Sequence, residues 1–186
     1  ALARLLRRMF RADPGVAVVQ AMVGAAPGQG ALRLNRANPT VATASAAFVD
    51  AARGAAGWSD QRWDDVVAVP VTTLDALAAA HGAPCFLKID VEGFEAEALA
   101  GLSRPPPALS FEFTTIQRGV ARACLEQLAA LGPFRFRAAL GESHALVHPA
   151  GISAAAMADW IDALPHDANS GDVYAVLQPN DAPSGP

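Results

Sequence analysis

Apolar positions recur with a helical period in some stretches of this chain and with a strand period, or in short unbroken runs, in others. Residues 2–11 set Leu2, Leu5, Leu6 and Met9 on one helical face and Arg4, Arg7, Arg8 and Arg11 mostly on the other, which predicts an amphipathic helix packed on a sheet. Arginine-rich and free of acids, the same segment also fits a targeting or membrane-surface helix. Asp13-Pro-Gly15 supplies turn chemistry, and residues 16–23 read as a buried strand. The glycine-rich run 24–30 has no Lys-Ser/Thr pair after it and leads into an alternating segment, 31–34, so it predicts a tight hairpin and not a phosphate loop. Residues 35–65 show no clean period and read as an irregular insertion over one end of the sheet. Trp58 and Trp63 there either line a pocket or cap the core, the second being the plainer reading. Residues 66–71 form a strand that Pro70 places towards an edge. Thr72-Thr-Leu-Asp75 resembles a capping box with Asp75 as a cap residue; it opens a helix to about His81, which Gly82 and Pro84 stop.

The stretch that organises the chain is residues 86–95, FLKIDVEGFE. Four of its first six residues are apolar, as in a strand buried on both faces. Lys88, Asp90 and Glu92 stand at alternate positions and so point to one side while the strand continues. Gly93 breaks the strand, and residues 94–102 read as a helix. Residues 108–113 form a second buried strand with one charge, Glu112, near its carboxyl end. Thr114 and Thr115 are plausible caps for a helix over 118–131, whose apolar stripe is Val120, Cys124, Leu125, Leu128 and Leu131. Residues 134–140 alternate with period two, and 144–148 look like a returning strand. Ser153 caps a helix to Leu164, residues 172–177 are a final strand, and 179–186 read as a disordered tail. The alternation of strands and helices predicts one α/β domain over residues 1–178, with a mainly parallel sheet closed by an antiparallel pair.

Composition narrows the function classes. With 52% hydrophobic and 17% charged residues a sizeable core is available. A net charge of −4 argues against a general nucleic-acid binder, and no apolar run approaches the roughly 18 residues of a membrane span. Cys85 and Cys124 read as buried free thiols, which suits a reducing cytoplasm.

Charges set in an apolar run are costly unless paired or used. If the strands ending at Asp90 and Glu112 are neighbours, their carboxylates meet at the carboxyl rim of the sheet, where open α/β folds bind ligands. A carboxylate there can orient a hydroxyl and take its proton. Asp90 is the first candidate, followed by Glu92 and Glu112, with Lys88 pairing one of them to hold its geometry. The plain structural alternative is a Lys–carboxylate network that only pins strand to strand. His144 and His148 fall on one face of a late strand and read as ordinary surface or core histidines. No spacing suggests a metal site.

The blocks VTTLD (71–75), FLKIDVEG (86–93), EALAG (97–101) and SFE (110–112) resemble, in order and spacing, the core of the FkbM-type methyltransferases. That resemblance covers residues 1–115 well and the remainder loosely. It implies a Rossmann-like fold, S-adenosylmethionine as cofactor, and O-methylation of a small-molecule or sugar hydroxyl. It also implies that residues Gln20, Ala21 and Met22, at the end of the first strand, approach the adenine. The family's glycine-rich first motif and the acid of its second strand are expected upstream of Ala1. The chain therefore reads as an amino-terminally truncated fragment or processed product, lacking its first strands. Two rivals stand beside this. Ile89-Asp-Val-Glu92 is similar to the acidic strand end of chitinase-like barrels, and Asp90 with Glu92 would then cleave glycosides, although Lys88 stands where another acid is expected and the chain is short for a barrel. The other rival is a non-catalytic α/β scaffold. Neither the acceptor nor the oligomeric state is selected by the sequence.

Overall fold

The computed structural model describes residues 2–143 and 145–179, and its strands fall into two sheets. In the smaller sheet, β1 (Met22–Val23) and β2 (Gly28–Leu34) flank β3 (Asp65–Thr72), β1 parallel and β2 antiparallel to it. In the larger, β4 (Leu87–Ile89) pairs parallel with β5 (Ala108–Thr114), while β6 (Phe134–Leu140) and β5 both pair antiparallel with β7 (Ser170–Leu177), giving the order β4-β5-β7-β6. The expected α/β class and the antiparallel pair near the carboxyl end (β6 and β7) are present, but the strands form two mixed sheets in place of the expected single, mainly parallel, Rossmann-like sheet. Apolar runs mark strands without stating their direction, and β5 and β7 read alike whichever way they pair.

Helices α4 (Glu95–Leu99), α5 (Arg118–Leu131) and α6 (Ala154–Ala163) pack against the larger sheet. Period two on β5 sends Leu109, Phe111 and Phe113 into that core and puts Ser110 and Glu112 on the opposite face. Leu125 and Leu128 of α5, Met157 and Ile161 of α6, Phe136 of β6 and Val173 of β7 complete it. Each such side chain stabilises the fold by about 1.5–3 kcal/mol through removal from water. The Ser153 Oγ accepts the Ala156 N–H and starts α6. The Arg118 guanidinium donates to the carbonyls of Ile161, Asp162 and Leu164 at its other end, where the macrodipole favours a cation.

Beside the smaller sheet lies a second core. The rings of Trp58 and Trp63 stand edge-on to Phe48 of α2 (Ala46–Ala52), at 5.1 and 6.0 Å between centroids. The tryptophans pack in that core, as the plainer reading had it, but part of the 35–65 stretch is regular: α2 is capped by Ser45, and a 3₁₀ turn occupies Pro39–Val41.

Several local expectations are corrected. The strand expected over 16–23 is reduced to Met22–Val23, and residues 16–20 are largely exposed. The run 24–30 is not a hairpin, since β1 and β2 pair with β3 and not with each other. β3 is central; it carries Pro70 because β1 flanks it only at Val71 and Thr72. Thr73 caps α3 (Leu74–His81), whereas Asp75 accepts the Ser103 N–H at 2.9 Å, which holds its carboxyl below the usual range. Gln117, not a threonine, precedes α5 as its cap residue, and the Thr115 hydroxyl donates instead to the His166 carbonyl. The described residues of 144–148 form no strand, although the Val147 N–H reaches the Ala138 carbonyl; His144 and residues 180–186 of the expected tail lie outside the described residues. Cys85 is exposed ahead of β4, and Cys124 is buried; both are free thiols. Helix α1 (Leu2–Met9) forms but buries none of its residues. Among the described residues no helix is long and apolar enough to cross a membrane.

Candidate functional site

β4 leaves the larger sheet at Ile89, and the chain then reverses through residues 90–93, with Glu92 at φ 53° and Gly93 at φ 83°. Two ties hold this turn. The Glu95 carboxylate accepts the N–H groups of Val91 and Gly93, each at 3.2 Å. The Glu92 carbonyl accepts the Thr43 hydroxyl at 2.6 Å. Glycine is needed at 93 on two counts, since the backbone is left-handed there and a Cβ would stand 2.7 Å from Phe48. β4 is an edge strand and is not buried on both faces, with Lys88 exposed.

Because the strand ends before Asp90, alternation does not place Asp90 and Glu92. The turn does. The parallel register Ile89↔Phe111 brings the next residues of β4 and β5 side by side, and one oxygen from each of Asp90, Glu92 and Glu112 lies within 4.8 Å of the others. Burial, then the charges of Asp90 and Glu95, pushes Glu92 up to about 7. Burial, then Glu92, Asp90 and Glu95, pushes Glu112 up to about 8, with Lys88 opposing. Carboxylates this close cannot all ionise cheaply, which is why Glu92 and Glu112 keep their protons to higher pH than an ordinary carboxylic acid. Such a set can bind a hydroxyl, carry a proton, or ligate a hard divalent cation. The cation option left no trace in sequence spacing because the three residues come from two separate strand ends.

Lys88 Nζ lies 3.3 Å from Asp90 and 2.6 Å from Asp172. Burial works against its charge, but Asp172 and Asp90 outweigh that and hold the ammonium above its ordinary value. Asp172, register partner of Glu112 on β7, escaped the sequence reading. Its signal was the same as that of the others, a single charge in an apolar strand. Glu95 escaped too; it is 2% exposed, and burial raises its carboxyl despite the two backbone donors. Behind the turn, Gly93, Glu95, Glu112 and Gln117 line a pocket of about 10 Å³, and Gln117 Oε1 has no partner among the described residues.

The remaining sequence candidates fall elsewhere. Gln20 and Ala21 precede β1, outside any strand, and Met22 pairs with Val71 in the smaller sheet. That strand nevertheless ends near the acidic turn, since a Cβ on Gly24 would stand 3.7 Å from the Phe94 ring. The His148 ring stands edge-on to Trp160 at 5.4 Å, a packing contact.

The Methyltransferase FkbM domain family matches residues 15–124, more than half of the chain. This chain belongs to the FkbM methyltransferase family. Neither a curated protein nor a solved structure matches it. The FkbM match takes in β1, Lys88, the acidic turn and Glu112, and leaves Asp172 outside. It does not favour the glycoside-hydrolase or scaffold readings.

Proposed function

We propose that this chain is an S-adenosylmethionine-dependent methyltransferase that methylates a hydroxyl of a small molecule or sugar, with Glu112 and Glu92 as the proton-accepting pair. The observation that carries this reading is the convergence of three carboxylates at the carboxyl ends of β4 and β5. S-adenosylmethionine, when bound, supplies an electrophilic methyl group on a cationic sulfur. The residues present fit such a group. Carboxylates complement its positive charge, and the Gln20–Met22 stretch, whose strand ends against Phe94, would hold the adenine. Asp90 is the group we assign to orienting the acceptor hydroxyl, because Lys88 fixes it from one side. A carboxylate whose proton leaves near neutral pH is a far better base than one that ionises near 4, and it takes the proton as the acceptor oxygen forms its bond to the methyl carbon. Lys88, held by Asp172, keeps the cluster from becoming too basic. The two free thiols suit a reducing cytoplasm as its compartment.

The test is methyl transfer from labelled S-adenosylmethionine to a panel of hydroxyl acceptors, followed against pH. The rate should rise as Glu92 and Glu112 lose their protons, through about pH 7 to 8, and Glu112→Gln should lower it by about 10²–10⁴-fold. Undiminished transfer in both Glu112→Gln and Glu92→Gln would remove the base assignment. Absence of any S-adenosylmethionine binding would remove the whole reading.

A further inference from the structure

The amide of Gln117 does no work for the fold. It stands at the N-cap of α5, yet its side chain makes no capping hydrogen bond. It turns inward instead. Its Oε1 is shut off from water and has no partner among the described residues. An ideal Cβ on Gly93 would stand 2.2 Å from that oxygen, so the glycine of the acidic turn is what admits it. Leaving a buried acceptor without a donor is costly, and native structures rarely do so without a reason.

The donor follows by elimination within the pocket that Gln117 shares with Gly93, Glu95, Glu112 and Thr114. The space is about 10 Å³, no more than one water takes up. The Thr114 hydroxyl does not bond to Oε1. The Gly93 N–H is committed to Glu95. Arg118, the next residue, spends its guanidinium on the carbonyls of Thr115 and of the end of α6. What remains is a protonated carboxyl. Glu95 accepts two backbone N–H groups on Oε1, which favours its ionised form. Glu112 has no such donors. It is faced by Glu92 and Asp90 from the turn, by Glu95 from α4 and by Lys88 from β4, with Asp172 as its register partner on β7. Burial and the three neighbouring acids push it up to about 8, so at neutral pH it carries a proton. An amide oxygen accepts and never donates, and therefore favours the neutral acid over the carboxylate.

We propose that Gln117 is a positioning residue for Glu112: its amide oxygen receives the Glu112 proton and so makes Glu112 the stronger base of the Glu92–Glu112 pair. The hydrogen bond stands on the pocket alone; the word base rests on the methyl-transfer reading. The test is a pH titration of the full chain with isotope-labelled glutamate side chains, followed by nuclear magnetic resonance, the Glu112 signal being the one missing from Glu112→Gln. Gln117→Met nearly keeps the volume and removes the acceptor. It should lower the Glu112 midpoint by about one pH unit, which is about a tenfold loss of proton affinity. Gln117→Glu puts an acidic acceptor in the same place and should raise the midpoint, since a like charge disfavours ionised Glu112. Gln127→Met, on the same helix but outside the pocket, should leave it unchanged. An unchanged or raised midpoint in Gln117→Met overturns the proposal, a rise meaning that the amide offers its nitrogen to a carboxylate. A midpoint at the parent value in Gln117→Glu overturns it as well. Methyl transfer separates the two readings, because its rising limb should follow the midpoint to lower pH in Gln117→Met. Midpoint shifts in a chain that transfers no methyl group keep the hydrogen bond and remove the base. A limb that moves while the Glu112 midpoint stays overturns the assignment to Glu112.

Discussion

β5 and β3 look alike as sequence, two runs of seven or eight mostly apolar residues, yet they live in different surroundings. β5 is buried along most of its length, with Leu109 and Phe111 fully removed from water. β3 alternates between half-buried and exposed, and Val66 is 59% exposed. The difference is the layer above them. α4, α5 and α6 cover the sheet that β5 crosses, while most of the large apolar side chains left in water among the described residues lie before or within the smaller sheet, at Leu2, Leu5, Met9, Phe10, Val16, Val19 and Val66, with Phe86, Leu146 and Val147 the exceptions. A run of apolar residues thus reports a strand, and the burial it achieves is decided by its neighbours. The candidate chemistry follows the same division. Glu112 is anchored by the stiff sheet and Asp90 and Glu92 by a tied turn at its edge, whereas the Gln20–Met22 stretch sits on the thinly covered side.

The sharpest way to break this contrast is substitution on the two strands. Phe111→Ala should cost about 3–5 kcal/mol of unfolding free energy, because the cavity in a packed core adds to the lost transfer term. Val66→Ala should fall within about 0.5 kcal/mol of the parent. Urea midpoints measure both, and comparable losses would mean that the two sheets are equally well packed.

The acidic cluster is where the better-packed sheet gives up stability. Glu92 and Glu112 leave their protons near 7 and 8 in the folded chain, against an ordinary 4.5. Between those limits the folded state binds more protons than the unfolded one, so unfolding free energy falls as pH rises. The contribution is fully present below about pH 4.5 and lost on passing through about pH 8. Glu112→Gln should flatten that fall by about 2 kcal/mol between pH 5 and pH 9, a value discounted from the full shift because the cluster is partly open to water. A slope that the substitution leaves untouched would show that Glu112 is not the group being titrated.

The same contrast explains what could be read in advance. Helices α5 and α6, and strands β5, β6 and β7, were legible because each buries a full periodic stripe against the larger core. The meeting of Asp90 with Glu112 was legible because it needs only that two consecutive strands be parallel neighbours. Strand direction was not, since β7 enters antiparallel between β5 and β6 with no mark in its composition. Nor was the reach of Lys88 to Asp172, which joins residues 84 positions apart over an intervening strand. The strand expected over 16–23 failed for the reason β3 is thinly buried: its valines find little surface to cover, and only the two residues opposite Val71 and Thr72 pair.

Helix α1 gives the smallest effect and the finest test of the comparison. Its apolar stripe is as regular as that of α5, yet Leu5 and Met9 are 54% and 64% exposed and no residue of the helix is buried. Its visible tether is the Arg7 Nε–H, which donates to the Val18 carbonyl at 3.3 Å. An apolar side chain that stays in water contributes nothing on folding, however regular its spacing. Leu5→Ser with Met9→Ser should therefore leave the urea midpoint within about 0.5 kcal/mol of the parent. A loss several times larger would mean that this stripe is covered in solution, and the thinly packed side of the molecule would then have a partner of its own.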